Sequence, residues 1–116
     1  TNKEVIKEWV AALRSGDYTQ GRGALHRRRT GIPDEFCCLG VLCELAVKHG
    51  VIPPPSLSWG EGDKYVYDMN ALLPTDVVMA WVGVEDWEIG RFLLPEENDF
   101  GATFAIIANR IEAAWG

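Results

Sequence analysis

The stretch CCLGVLCELAVKHG, residues 37–50, constrains the fold of this chain more than any other. Cys38, Val41, Leu42, Leu45 and Ala46 recur at i, i+3, i+4, i+7 and i+8, which predicts a helix with one apolar stripe against a core. Gly50 ends that helix, and Pro53-Pro54-Pro55 prevents it from resuming. Gly40 is unfavourable inside it by about 1 kcal/mol relative to Ala. Its presence therefore predicts a second element packed closely at that point.

The same stretch holds all three cysteines. A structural zinc site draws paired ligands from two places in a chain. Here the pattern is C-C-x4-C, and Cys37 and Cys38 point about 100° apart on a helix, so no metal site is expected. Cys38 lies on the apolar stripe, and free cysteine is among the most buried residue types. Packing is the favoured reading. Were one thiol reactive, it would be Cys37, at a helix N-terminus whose dipole stabilises thiolate. An odd number of cysteines cannot all pair within one chain, which points to a reducing, cytoplasmic compartment.

The flanking segments supply the remaining elements. TNKEVIKEWVAALRSG reads as a first helix, with capping-box spacing between Thr1 and Glu4 and an apolar face of Val5, Ile6, Trp9, Val10 and Leu13. Ala24-Leu25 and Glu35-Phe36 read as the strands of a hairpin with Arg28-Arg29-Thr30-Gly31 at its exposed tip. KYVYD, residues 64–68, reads as a short strand, and residues 73–83 as a two-turn helix with Pro74 near its first turn and Gly83 past its end. WEIGRFLL, residues 87–94, reads as a strand weakened by Gly90. Residues 98–116 read as the last helix, capped by Asn98 or Asp99. Without a repeat or linker, residues 1–116 form a single compact α+β domain of about four helices packed with a few short antiparallel strands.

Charge narrows the partners. Residues 1–30 carry seven Lys/Arg against three acids, a net +4, whereas residues 31–116 carry four against fourteen, a net −10, for a total of −6. An acidic body repels a nucleic-acid backbone, so extended DNA or RNA is not an expected partner, though a local basic patch for one small anion is. No apolar run approaches the roughly 20 residues of a membrane span. The chain opens on Thr without a basic-apolar leader, which leaves room for a segment already removed. Its five tryptophans leave room for a homodimer.

Catalytic signatures are absent. There are two histidines, His26 and His49, with no G-x-S-x-G and no H-E-x-x-H, and the acidic pairs Glu85-Asp86 and Glu96-Glu97 read as solvated edges. No catalytic residue and no cofactor are assigned. Ligand binding finds more support. In QGRGALHRRR, Arg22 stands between Gly21 and Gly23, where small residues let backbone N–H groups reach an anion and an arginine binds phosphate through two donors. The alternative is a tight turn beside a solvated basic tip. In ENDFGATF, Asn98 and Asp99 are helix caps or, with the free N–H groups of Gly101 and Ala102, groups that read polar edges of a ligand. Trp59, in a Ser/Gly/Pro loop, and Tyr18 are candidates to stack on a base.

At YTQGRGAL, FCCLGVLCELA and NDFGATFAIIANRIE the chain resembles a group of small proteins of unassigned function encoded mainly by bacteriophages and prophages. The corresponding segments are Leu13–Leu25, Cys37–Cys43, Leu73–Trp81 and Asn98–Glu112, most of the chain. The resemblance implies a phage context and an infected bacterial cytoplasm, where small stand-alone proteins often counter host defence. The resulting expectation is a non-enzymatic accessory protein that sequesters a small anionic ligand of the nucleotide-signal class through Gly21, Arg22, Gly23, Asn98 and Asp99, with Trp59 or Tyr18 stacking. The alternatives are an inhibitor that binds a host defence protein through its acidic surface or the Trp59 loop, and a small thiol- or acid-dependent hydrolase.

Overall fold

The computed structural model describes residues 1–22, 24–57, 64–67, 74–91, 98 and 101–116. Within them lie α1 (Lys3–Arg14), β1 (Thr19–Gln20), β2 (His26–Arg27), β3 (Glu35–Phe36), α2 (Cys38–Lys48), β4 (Ser56–Leu57), β5 (Tyr65–Val66), α3 (Asp76–Val82), α4 (Asp86–Arg91) and a last helix, α5 (Phe104–Trp115). The architecture is α+β, with five helices among the described residues and short strands in two small sheets.

The helices form the core. α1 packs most extensively on α5, and α2 lies against both α1 and α3. Val5, Ile6, Trp9, Val10 and Leu13 of α1 are all buried, as the 3.6-residue period requires. The Trp9 and Trp115 rings stack with centroids 6.4 Å apart. The Trp9 indole nitrogen donates to the Cys38 carbonyl oxygen at 2.8 Å, giving a buried polar edge its partner. Thr1 does not cap α1. Asn2 does, its Oδ1 accepting from Val5 N at 3.4 Å, while its own N–H donates to Val82 O at 2.8 Å and ties the start of α1 to the end of α3.

All three cysteines are buried. Cys37 caps α2, its Sγ accepting from Gly40 N at 3.4 Å. Gly40 has a steric reason. A Cβ there would overlap the backbone carbonyl of Leu25, which itself accepts from Cys37 N at 3.1 Å. That carbonyl shifts the hairpin. Leu25 serves the helix, so the strand facing Glu35-Phe36 is His26–Arg27 rather than Ala24-Leu25. β3 is also the centre of a three-stranded sheet, because β1 pairs with it in parallel on its other side.

Two further expectations are corrected. The segment read as a strand over 87–94 is helical through Arg91, and residues 92–94 lie outside the described residues. A local cap decides this. Glu88 reaches back so that its Oε1 accepts from Glu85 N at 3.1 Å, and Glu85 O accepts from both Glu88 N and Ile89 N. The last helix begins at Phe104, capped by Thr103, whose Oγ1 accepts from Ile106 N at 3.3 Å, rather than by Asn98. No helix among the described residues is long and apolar enough to cross a membrane.

Candidate functional site

The parallel β1–β3 pairing brings the Gly21-Arg22 turn over the segment that leads into α5. Gly21 is small for a packing reason, since a Cβ there would come within 2.5 Å of Glu35 Cβ. Its N–H donates to Phe36 O at 2.7 Å, and its carbonyl oxygen accepts from Asn98 Nδ2 at 2.7 Å. The Gly21 N–H that the sequence offered to an anion is thus engaged inside the protein.

Asn98 is fully buried. Its Oδ1 accepts from Cys38 N at 3.2 Å and from Gln20 Nε2 at 3.0 Å. One amide therefore joins the β1 turn, the first turn of α2 and the approach to α5. It reads protein groups, not a ligand edge, because a buried amide with three such partners has no face toward solvent. Gln20 completes the bolt, donating to Ala102 O at 2.6 Å and accepting from Phe104 N at 3.1 Å. Gly101 N–H donates to Asn98 O at 3.4 Å, so it too is engaged.

Arg22 is different. It is exposed and has no hydrogen-bond or ion-pair partner among the described residues. Its guanidinium hangs over the entry to α5, where a Cβ on Gly101 would lie 3.3 Å from Arg22 Nη2. Arg22 and the α5 entry therefore do meet in space. Tyr18 is elsewhere. Its ring meets Phe36 edge-on at 5.2 Å, and Lys48 Nζ donates to its hydroxyl at 3.4 Å. It lines a depression of about 290 Å³ with Glu8, Asp17, Leu45 and Lys48, a set that holds none of Gly21, Arg22 and Asn98. Gly23, Trp59 and Asp99 lie outside the described residues.

A second polar cluster escaped the sequence reading. His26 is buried, with its ring stacked between Phe36 and Tyr65, each centroid 4.1 Å away. Nε2 faces Asp34 Oδ2 at 2.8 Å, and Nδ1 faces the Tyr67 hydroxyl at 2.8 Å, which donates to Glu44 Oε1 at 2.6 Å. Hydrogen bonds from His26 first, and from Tyr67, hold Glu44 below the usual carboxylate range against the opposing effect of burial. Burial, then the hydrogen bond to Glu44, pushes the Tyr67 phenol up, and burial pushes the Cys43 thiol up. Neither group is poised to ionise. With aromatic rings on both faces and both nitrogens engaged, the imidazole locks β2, β3, β5 and α2 together. The available signal was Glu44, the one charge between Cys38 and Val47 on an otherwise apolar helix. Among the described residues no group of three His, Cys, Asp or Glu is placed to hold a metal ion.

A family model described as a domain of unknown function, DUF8296, matches residues 1–115. The chain belongs to this family. No curated protein and no solved structure matches it. Family membership adds no chemistry to the DUF8296 chain, so the geometry alone bears on what its turn does.

Proposed function

We propose that this protein binds and sequesters a small anionic ligand of the nucleotide class at the Arg22 turn, as a non-enzymatic accessory protein acting against a host defence signal. One observation carries the reading. Arg22 is exposed, has no hydrogen-bond or ion-pair partner among the described residues, and lies near Gly101 ahead of α5, on a turn held by Asn98 and Gln20. A guanidinium presented to solvent can bind a phosphate through two parallel donors. The role of Gly21 and Asn98 is then to hold the turn, and Arg22 is the group that touches phosphate. The resemblance to phage-encoded proteins supplies the biological setting.

The test is thermal denaturation of the purified protein with inorganic phosphate and with linear and cyclic nucleotides. A ligand at a hundredfold excess over Kd stabilises by about 2.7 kcal/mol. The expected result is a raised Tm with at least one nucleotide, lost in Arg22→Ala, and ligand recovered unchanged by chromatography. No shift with any compound, or the same shift in Arg22→Ala, overturns the site. Consumption of the ligand overturns sequestration in favour of a hydrolase.

A further inference from the structure

The buried His26 ring sits at the centre of a chain of three short polar contacts. Nε2 lies 2.8 Å from Asp34 Oδ2, and Nδ1 lies 2.8 Å from the Tyr67 hydroxyl oxygen. That hydroxyl lies 2.6 Å from Glu44 Oε1, and Nδ1 is itself 3.5 Å from the same carboxylate oxygen. Each short contact needs one hydrogen between its heavy atoms. Asp34 and Glu44, as carboxylates, only accept. A neutral imidazole supplies one hydrogen and a phenol supplies one. Three contacts then share two hydrogens, and one of them sets lone pair against lone pair in the interior. Native folds avoid buried polar groups left in that state.

A third hydrogen removes the conflict, and the imidazole is the group that takes it. The hydrogen bond with His26 is the largest cause holding Glu44 below the usual carboxylate range, so Glu44 stays an acceptor. Burial first, then Glu44, pushes the Tyr67 phenol up, so its own proton stays in place. Phe36 and Tyr65 stack on the two sides of the ring at 4.1 Å, and aromatic faces favour a cation between them. The other charges nearby are mixed. Arg27 follows His26 on β2, opposite Glu35 of β3 and bridged to Lys64 ahead of β5. Arg29 N donates to Asp34 Oδ1 at 3.4 Å. On α2, Lys48 favours the ionised form of Glu44, while the buried thiols Cys37 and Cys43 act on Tyr67.

We infer that His26 carries hydrogen on both ring nitrogens at neutral pH and acts as a proton-held latch between the β2–β3 hairpin and α2. Through Nε2 it holds Asp34, at the base of the exposed tip of residues 28–33, and through Nδ1 it reaches Tyr67 and Glu44. As pH rises, the Nδ1 proton leaves to solvent. The bare nitrogen then faces the oxygen of a hydroxyl whose hydrogen is already given to Glu44, and the tie to α2 loosens. An unfolded histidine has lost this proton above about pH 6.5, so there the folded chain binds one proton more. Stability contributed by the latch is therefore present at lower pH and fades as pH rises and the proton leaves.

Nitrogen-15 NMR of the imidazole tests it. His49→Gln leaves His26 as the one histidine of the chain, which makes its ring signals unambiguous. If that variant is unfolded by circular dichroism, the parent is used, and His26 is recognised by its ring contacts with Phe36 and Tyr65. At about pH 7 both nitrogens are expected to carry hydrogen, and on titration to about pH 10 Nδ1 alone is expected to lose it. Glu44→Gln is expected to move that loss to lower pH by about one unit or more, because the opposing charge is gone. As Nδ1 loses its proton, amide hydrogen exchange in β2 and β3, corrected for its intrinsic rise with pH, is expected to quicken by about tenfold or more. An Nδ1 without hydrogen at about pH 7 overturns the inference. So does a loss that Glu44→Gln leaves in place, or exchange in β2 and β3 that stays the same as the proton leaves.

Discussion

Asn98 Nδ2 donates to the carbonyl oxygen of Gly21 at 2.7 Å across 77 positions of sequence, and the same side chain accepts from Cys38 N at 3.2 Å. The Arg22 turn is therefore as rigid as the α2 N-terminus to which it is bolted. Asn98→Ala strands the Gly21 carbonyl, the Cys38 N–H and one donor of Gln20. A buried polar group left without a partner costs about 1–3 kcal/mol. Urea unfolding is expected to show a loss of about 3 kcal/mol or more. Asn98→Asp is expected to lose a similar amount, because it sets an oxygen against the Gly21 carbonyl. A loss below about 1 kcal/mol in both would mean that the bolt is dispensable.

Gly40→Ala separates helix propensity from packing. Propensity alone predicts a gain of about 1 kcal/mol. The Leu25 carbonyl occupies the space of the new methyl group, and it is backbone held by Cys37 N–H, so it cannot swing aside. Overpacking of this kind costs about 1–3 kcal/mol or more. The expected net effect is a lower midpoint in urea, and a raised midpoint would refute the close approach.

Trp9→Phe keeps an aromatic ring against Trp115 but removes the donor to Cys38 O. A loss of about 1–3 kcal/mol is expected, from the lost indole hydrogen bond and the smaller ring together. Near-parent stability would show that the indole bond adds nothing beyond packing.

α1, α2 and α3 were legible because their signals are local, whereas α4 was read as a strand. The α1 face, the α2 stripe and the Gly83 stop all follow from period and caps within a few residues. What the sequence could not convey is pairing at a distance. β1 is two residues long and gains its identity from β3 beside it. The start of α5 was misplaced because Asn98 has ideal cap chemistry yet spends it on Gly21 and Cys38, leaving Thr103 to cap. At the candidate site, Gly21, Arg22 and Asn98 were singled out together from their residue types, whereas the commitment of the Gly21 backbone to Phe36 and Asn98 was not read. The residue types that suit a ligand also suit a buried bolt, and only tertiary geometry distinguishes the two. His26 escaped notice for the same reason, since its partners Asp34, Glu44 and Tyr67 come from three separate segments.

Glu44 gives the network a pH signature. Its carboxyl is held below the ordinary range, chiefly by the hydrogen bond with His26. A carboxylate whose folded pKa lies below its unfolded value adds stability above the unfolded pKa, and that contribution fades as pH falls through the folded one. Glu44→Gln keeps an acceptor for the Tyr67 hydroxyl but removes the charge facing His26. At neutral pH the variant is expected to be less stable by about 1.5–3 kcal/mol, the range for a hydrogen bond to a charged group. As pH falls from neutral through the folded pKa of Glu44, the gap between parent and variant closes, because the parent protonates the group that the variant lacks. Urea midpoints across that interval check it. Parallel curves would show that the Glu44 charge contributes nothing to the fold, and a gap that widens toward acid would reverse the sign of the proposed linkage.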